Sequence, residues 1–248
     1  MHMFCFQCQE TAPPGCRYCG TCGKTDDAAN AMDLLIYVLR GICCVADRGI
    51  KRGKTLDVET GDYLFRSLYM TVTNTNFDPE RIIAATREGL AIKKRLVDAW
   101  LQPGEAETMT EAVRWSATAL EDLKAKSYRV GVLEIEDEDV RSLREMITYS
   151  FKGISAYAHH AAELGYFPRR VAEGLVRILA ATTDCRDVST LLGLAMDTGQ
   201  VMMHAMEDLD TANAAVYGNP EITTFSIDVG TKPGILVTGH DLIDIEQL

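Results

Sequence analysis

Residues 4–24 read Phe4-Cys5-Phe6-Gln7-Cys8-Gln9-Glu10-Thr11-Ala12-Pro13-Pro14-Gly15-Cys16-Arg17-Tyr18-Cys19-Gly20-Thr21-Cys22-Gly23-Lys24. Four of these cysteines follow the spacing Cys5-x2-Cys8-x7-Cys16-x5-Cys22, and Cys19 lies between the last two. Thiolates this close in sequence can surround one metal centre without remote parts of the fold, and soft sulfur suits both iron–sulfur clusters and zinc. Spacing alone leaves three groupings open. Cys5/Cys8 with Cys16/Cys19 imitates a zinc ribbon, Cys19-x2-Cys22 forms another pair, and Cys5/Cys8/Cys16/Cys22 is the third. Gly15, Gly20 and Gly23 let backbone amides approach cluster sulfides, while Phe4 and Phe6 are placed to keep water away. On the residues, an iron–sulfur cluster is favoured over zinc, and either over a thiol role without metal.

Outward from this loop the pattern is helical. Leu35, Val38, Leu39, Ile42 and Ala46 predict a core-facing helix over 26–46, stopped by Asp47-Arg48-Gly49. A second helix is predicted over 58–74. A third starts at Asp78-Pro79, a good N-cap followed by Pro at the first helical position, and runs to Pro103-Gly104. A fourth spans about 107–124, after which Val130–Glu134 reads as a short extended crossing. Acids at 137–139 open a fifth helix with the stripe Val140, Leu143, Ile147, Phe151, Ile154 and Ala158, ended by Gly165. Pro168 opens a sixth. The seventh, 188–217, is expected to bury Leu191, Leu192, Ala195, Gly199, Met202, Met206 and Leu209, with most of Met196, Met202, Met203 and Met206 in its core. The last stretch changes character: Thr223–Val229 alternates like a strand, and Gly234–Asp241 followed by a helical-looking 242–248 resembles the βα start of a parallel sheet.

The expected fold is therefore mainly α: two helical bundles of about seven helices, preceded by a cysteine-rich cluster loop and followed by the start of an α/β, Rossmann-like domain. The expected divisions are 1–24 for the loop, 25–129 and 130–218 for the bundles, and 219–248 for the first strands of the α/β domain.

With 248 residues, 47% of them hydrophobic, the chain can bury a sizeable core. A net charge of −11 repels phosphate backbones, so nucleic acid is not an expected partner. No apolar run is expected to reach the roughly 18–20 residues that cross a bilayer, and the N-terminus lacks a secretory pattern. Eight cysteines in that setting read as metal ligands and buried thiols, and the expected location is the cytoplasm. Cys43, Cys44 and Cys185 read as packing. His160-x-x-Glu163 and His204-x-x-Glu207 reverse the Glu-x-x-His order of di-iron bundles and read as surface or packing pairs. No G-x-G-x-x-G, P-loop or G-x-S-x-G is present, which argues against a bound nucleotide and a serine hydrolase. His240 follows a predicted strand and Gly239; on spacing alone it is more readily a helix-capping loop histidine than a ligand.

The run Met3–Thr11, with Gly15-Cys16 and Cys22-Gly23-Lys24, resembles the opening of hybrid cluster proteins, the prismane or hydroxylamine reductase family. The likeness returns at Asp139–Arg144, Ala156–Ala158, Tyr217–Pro220 and Gly234–Leu242, and so extends over essentially the whole chain. It implies that Cys5, Cys8, Cys16 and Cys22 hold a [4Fe-4S] cubane, with Cys19 matching no ligand. It also makes His240 a ligand of the second centre, a hybrid iron–sulfur–oxygen cluster, against the plainer reading of that residue. The family's other hybrid-cluster ligands, two glutamates and four cysteines, lie downstream of this histidine. The resemblance thus implies a further portion, in a longer chain or as a separate one. Nickel-dependent carbon monoxide dehydrogenase is a structural cousin with a different N-terminal cysteine pattern.

The activity implied by the resemblance is an oxidoreductase of nitrogen metabolism: reduction of hydroxylamine to ammonia and water, with nitric oxide as another substrate and protein S-nitrosylation as a further family activity. The cubane relays electrons from a donor such as a ferredoxin or an NADH-dependent reductase. Catalysis resides at the hybrid cluster, to which this sequence contributes His240 alone. Two other readings stand beside it: a non-catalytic iron–sulfur electron-transfer module and a zinc-stabilised helical scaffold.

Overall fold

Helix α1 (Asp26–Ile50) is apolar around most of its circumference, with Leu34, Leu35, Val38, Leu39, Ile42, Cys43, Val45 and Ala46 all buried. A helix of that kind is stable in water only if other elements surround it. The computed structural model, which describes residues 3–11, 13–73, 75–237 and 242–248, supplies those neighbours. Helix α3 (Pro79–Trp100), the short α4 (Glu111–Arg114), α5 (Leu120–Ser127) and α7 (Arg169–Thr182) all pack against α1. Helix α2 (Val58–Met70) lies against α6 (Glu138–Glu163) and α7, and α8 (Val188–Tyr217) covers α6 and α7. One continuous apolar cluster links these helices, from Leu35 and Phe65 through Phe151 to Leu175 and Leu191. Each such side chain contributes about 1.5–3 kcal/mol on full burial. A final short helix, α9 (Leu242–Gln247), completes nine α-helices among the described residues, and the protein is mainly α as expected.

Caps fix where several helices begin. Thr25, Asp57, Asp78, Asp137 and Asp187 each accept a hydrogen bond from a backbone N–H of the first turn. A side-chain cap of this kind contributes about 1 kcal/mol and removes an orphan donor.

The structure corrects several expectations. Asp47-Arg48-Gly49 does not end α1. The helix continues to Ile50, and Gly49 is there because an added Cβ would lie 2.1 Å from Cε3 of Trp100. By length and composition α1 is also apolar enough to cross a membrane, contrary to expectation; 78% of its most apolar stretch is buried inside the protein. Helix α2 ends at Met70, short of the predicted 74. The predicted fourth helix is broken into a 3-10 turn (Glu105–Thr108), α4 and α5. Thr110 caps the start of α4, and the break after α4 is held by Lys93, 3% exposed, whose Nζ donates to the carbonyls of Ala112 at 2.7 Å and Trp115 at 2.6 Å. Those carbonyls are satisfied from the side, so the chain leaves the helix there and runs extended to Ala119. Val130–Glu134 is not an extended crossing; Val132–Glu134 forms a 3-10 turn.

Helix α8 has the predicted bounds but another register. Its buried face is Leu191, Leu194, Thr198, Val201, Ala205, Asp208 and Ala212, whereas Leu192 (52%), Met196 (77%), Met203 (62%) and Met206 (50%) are exposed. The predicted Rossmann-like start is not supported. Among the described residues no strand forms, and Ile222, Phe225, Ile227, Ile235 and Leu236 are exposed. Alternation alone does not make a strand; it needs a neighbouring strand for its backbone N–H and C=O groups.

Two outcomes follow from this packing. Gly49→Ala is expected to destabilise the chain by about 1–3 kcal/mol through overlap with Trp100, while Gly199→Ala, on the open face of α8, stabilises it by about 0.5–1 kcal/mol; urea unfolding of both variants checks this. Burial also holds the Lys93 ammonium at about 8 against an ordinary 10.5, so between those values the unfolded chain binds more protons than the folded one. The stability of the wild type relative to Lys93→Met therefore grows as pH rises through that window, as measured by denaturation at stepped pH.

Candidate metal centre

The cysteine loop is built as a short clasp. Backbone N–H of Cys5 donates to Cys16 O at 3.1 Å and that of Cys16 to Cys5 O at 2.9 Å, a single antiparallel bridge that holds two of the predicted ligands opposite each other. Met3 N–H to Arg17 O, at 3.2 Å, extends it. Gly15 turns the chain at φ 136, and the space a Cβ would need is taken by the Phe4 ring at 2.6 Å. This is the left-handed side of backbone space, where glycine is favoured. Further on, Gly20 N–H donates to Lys24 O at 2.7 Å and Gly23 N–H to Gly20 O at 2.9 Å, folding Cys22 back over the loop. A Cβ on Gly20 would meet Cys22 Sγ at 3.0 Å, so the glycine makes room for that sulfur.

Helices behind the loop hold it in place. Tyr149 of α6 donates its hydroxyl to Gln7 O at 2.9 Å, and Gln7 Nε2 donates to Thr71 O at the end of α2, at 3.3 Å. Phe4 and Phe6 stack obliquely with ring centroids 5.9 Å apart and cover the side facing α6. Thr25, the cap of α1, follows Lys24 directly, so the loop exits into the most buried helix of the fold.

All five loop cysteines are free thiols; Cys5, Cys8 and Cys16 are half-buried and Cys19 and Cys22 exposed. Hydrogen bonds from the backbone and side chain of Thr21 push the Cys16 thiol below its ordinary value, which favours the thiolate a metal requires. Cys8 Sγ lies 3.3 Å from Thr11 Oγ1. Among the described residues no three His, Cys, Asp or Glu side chains converge as a metal site in this conformation. The bridge and the glycine turns bring the sulfurs' backbones together, and metal–sulfur bonds supply the final convergence in sites of this type. The donor set of soft thiolates beside the Phe4 and Phe6 rings fits an iron–sulfur group, while the Gly20 and Gly23 amides are taken by carbonyls of the loop itself. His240 lies outside the described residues.

Behind the loop is a group of buried charges that sequence reasoning missed. A cavity of about 30 Å³ is lined by Cys5, Lys24, Asp33, Glu145 and Lys152, among others. Burial, then the nearby Glu145, pushes the Asp33 carboxyl up to about 7, opposed by Lys152, Arg40 and Lys24. Burial brings the Lys152 ammonium down to about 8, with Glu145 and Asp33 acting in the other direction. The available signal was polar residues at helical spacing on a buried face: Thr148, Lys152 and Ser155 of α6 are all buried. The expected pair of His160 with Glu163 is not the one observed: Glu163 stands 3.6 Å from His159, and the buried His160 meets the edge of the Tyr69 ring. Glu207 accepts from Arg170 at 2.8 Å with His204 at 3.9 Å, an ordinary contact. Cys43 and Cys44 are buried in α1, where burial raises both thiols, consistent with packing.

Known proteins point the same way as the loop. The chain is 42% identical over its whole length to a hydroxylamine reductase 2 of Clostridium acetobutylicum, of which it covers 48%. It is 41% identical over 99% of its length to a hydroxylamine reductase of Methanocaldococcus jannaschii, covering 45% of it. A hydroxylamine reductase of Nitratidesulfovibrio vulgaris is 44% identical over 99% of the chain, with 46% of that protein covered. The chain thus spans about half the length of the curated relatives it matches. The sequence model of the Prismane/CO dehydrogenase family matches residues 3–248, and the chain belongs to that family.

Proposed function

We propose that this chain is the electron-accepting part of a hydroxylamine reductase, with Cys5, Cys8, Cys16 and Cys22 holding a [4Fe-4S] cubane and His240 serving as one ligand of a hybrid iron–sulfur–oxygen cluster. The observation that carries the reading is the clasped cysteine loop seated on the helices, in a chain about 40% identical along its length to proteins bearing that name. In this reading the loop (1–24), the two sets of helices (25–129 and 130–218) and the closing segment (219–248) are the working divisions. The remaining hybrid-cluster ligands come from a further portion of the protein, in the same chain or another.

Cleaving the N–O bond of hydroxylamine to give ammonia and water takes two electrons and two protons. When bound, the iron–sulfur groups supply the one-electron steps and a Lewis-acidic iron for the substrate oxygen. The chain's own residues do the rest. The lowered Cys16 thiol favours the thiolate form, and its backbone bridge sets Cys5 opposite it. Phe4 and Phe6 pack beside the loop, and the exposed Cys19 and Cys22 leave it accessible to a protein donor. That donor is a ferredoxin or an NADH-dependent reductase, the location is cytoplasmic, and nitric oxide is a second substrate. Soft thiolates suit both metals, and the kinship with hydroxylamine reductases favours iron–sulfur over zinc.

Anaerobic reconstitution with iron and sulfide tests the reading. The expected product is brown, with about four irons and four sulfides per chain. Cys5→Ser, Cys8→Ser, Cys16→Ser and Cys22→Ser each lose most of the visible absorption, and Cys19→Ser keeps it. A colourless chain that binds one zinc, or loss of colour in the Cys19 variant, contradicts the assignment. The 248 residues alone are expected to show no hydroxylamine turnover after reconstitution, and substantial turnover by a standard ammonia assay contradicts the need for ligands from elsewhere.

A further inference from the structure

Lys24 and Lys152 are 1% and 7% exposed, yet among the described residues neither ammonium has a carboxylate within ion-pair distance. Lys24 Nζ reaches Met32 Sδ at 3.2 Å, a weak acceptor, and sits 5.7 Å from the centre of the Phe77 ring. Lys152 Nζ donates to Thr71 O at 3.2 Å, the same carbonyl that Gln7 Nε2 uses to anchor the loop. The direct contacts of both buried cations are thus neutral groups, and Asp33 and Glu145 act on Lys152 through charge alone. Asp33 and Glu145 share their cavity, but Glu145 is engaged by Arg40 at 3.8 Å. Cys5, Phe4 and Phe6 of the loop also line that cavity, and Lys24 follows Cys22 by two residues. Both cations therefore face the back of the cysteine loop.

We propose that Lys24 and Lys152 are the built-in counter-charge of the iron–sulfur group on this loop and set its reduction potential. The inference rests on the cubane reading above. Four thiolates around a cubane give an anionic unit, and uptake of one electron from an external reductant adds a negative charge with no bond made or broken. Fixed positive charge in a low-dielectric site favours that more negative state. The two lysines are positioning residues in this role; neither is a ligand.

The test is potentiometric titration of the reconstituted chain, followed by the electron paramagnetic resonance signal of the reduced cluster. Lys24→Met and Lys152→Met, near in volume and uncharged, are expected to lower the midpoint by at least a tenfold change in the reduced-to-oxidised ratio, about 59 mV for one electron. Lys24→Arg and Lys152→Arg restore it. Lys51→Met, at the far end of α1, leaves it unchanged. Midpoints of both methionine variants within a twofold ratio of wild type, with the cluster in place, overturn the inference alone. A wild-type chain that assembles no cubane overturns the cubane reading with it. Where a methionine variant binds too little iron to titrate, Lys24→Gln and Lys152→Gln, uncharged and able to hydrogen-bond, decide, and midpoints of both within a twofold ratio of wild type overturn the inference.

Discussion

The burial of α1 is the constraint on which the rest of the molecule depends. Its apolar surface extends around most of the helix, so α3, α4, α5 and α7 must all be close to it, and α2, α6 and α8 assemble around that nucleus. The close approaches at Gly41, where an added Cβ would lie 2.2 Å from Ala112 O, and at Gly49 against Trp100 show how little space the arrangement leaves. Because α1 begins at Asp26 with Thr25 as its cap, the last turn of the cysteine loop inherits the rigidity of the core. A metal loop on a flexible terminus would have to order itself on binding; this one is already tied to α1, α2 and α6.

That arrangement explains the placement of charge behind the loop. Surface lysines elsewhere have acidic partners, as Lys51 has Asp47 and Lys94 has Asp98. Lys24 and Lys152 are instead buried where helices α1 and α6 meet the loop. A cluster that cycles between charge states needs an environment that offsets its charge without competing as a ligand, and an ammonium does that where a carboxylate does not.

Much of this was legible in the sequence because local signals agreed with the tertiary structure. Asp78-Pro79 and Asp137 marked helix starts correctly, and the stripe from Val140 to Ala158 lies on the buried face of α6, with Leu143 half-buried. The failures have specific causes. Helix α8 carries Leu192, Met196, Met203 and Met206 on one side and Leu191, Leu194 and Val201 on another, so its pattern does not select a face; packing against α6 and α7 does. The break after α4 is held by Lys93, a residue of another helix, through two carbonyls no local rule marks as taken. Residues 223–229 alternate as a strand would, but a strand is defined by its neighbour and the described residues provide none. In the loop, the cysteine spacing pointed to metal and left the grouping open, whereas the Cys5–Cys16 bridge is a contact across the loop that spacing does not encode. Lys152 was invisible as a site residue because it lies 147 positions from Cys5, and only the fold brings the two to one cavity.

The central claim is that this loop, docked on the helices, holds a single cubane through Cys5, Cys8, Cys16 and Cys22. Mössbauer spectroscopy of the anaerobically reconstituted chain, with enriched iron, addresses it most directly. The account predicts one population of four iron sites in tetrahedral sulfur coordination, equivalent to one cluster per chain. Isolated iron in single-ion sites, or two-iron clusters as the main species, would contradict it.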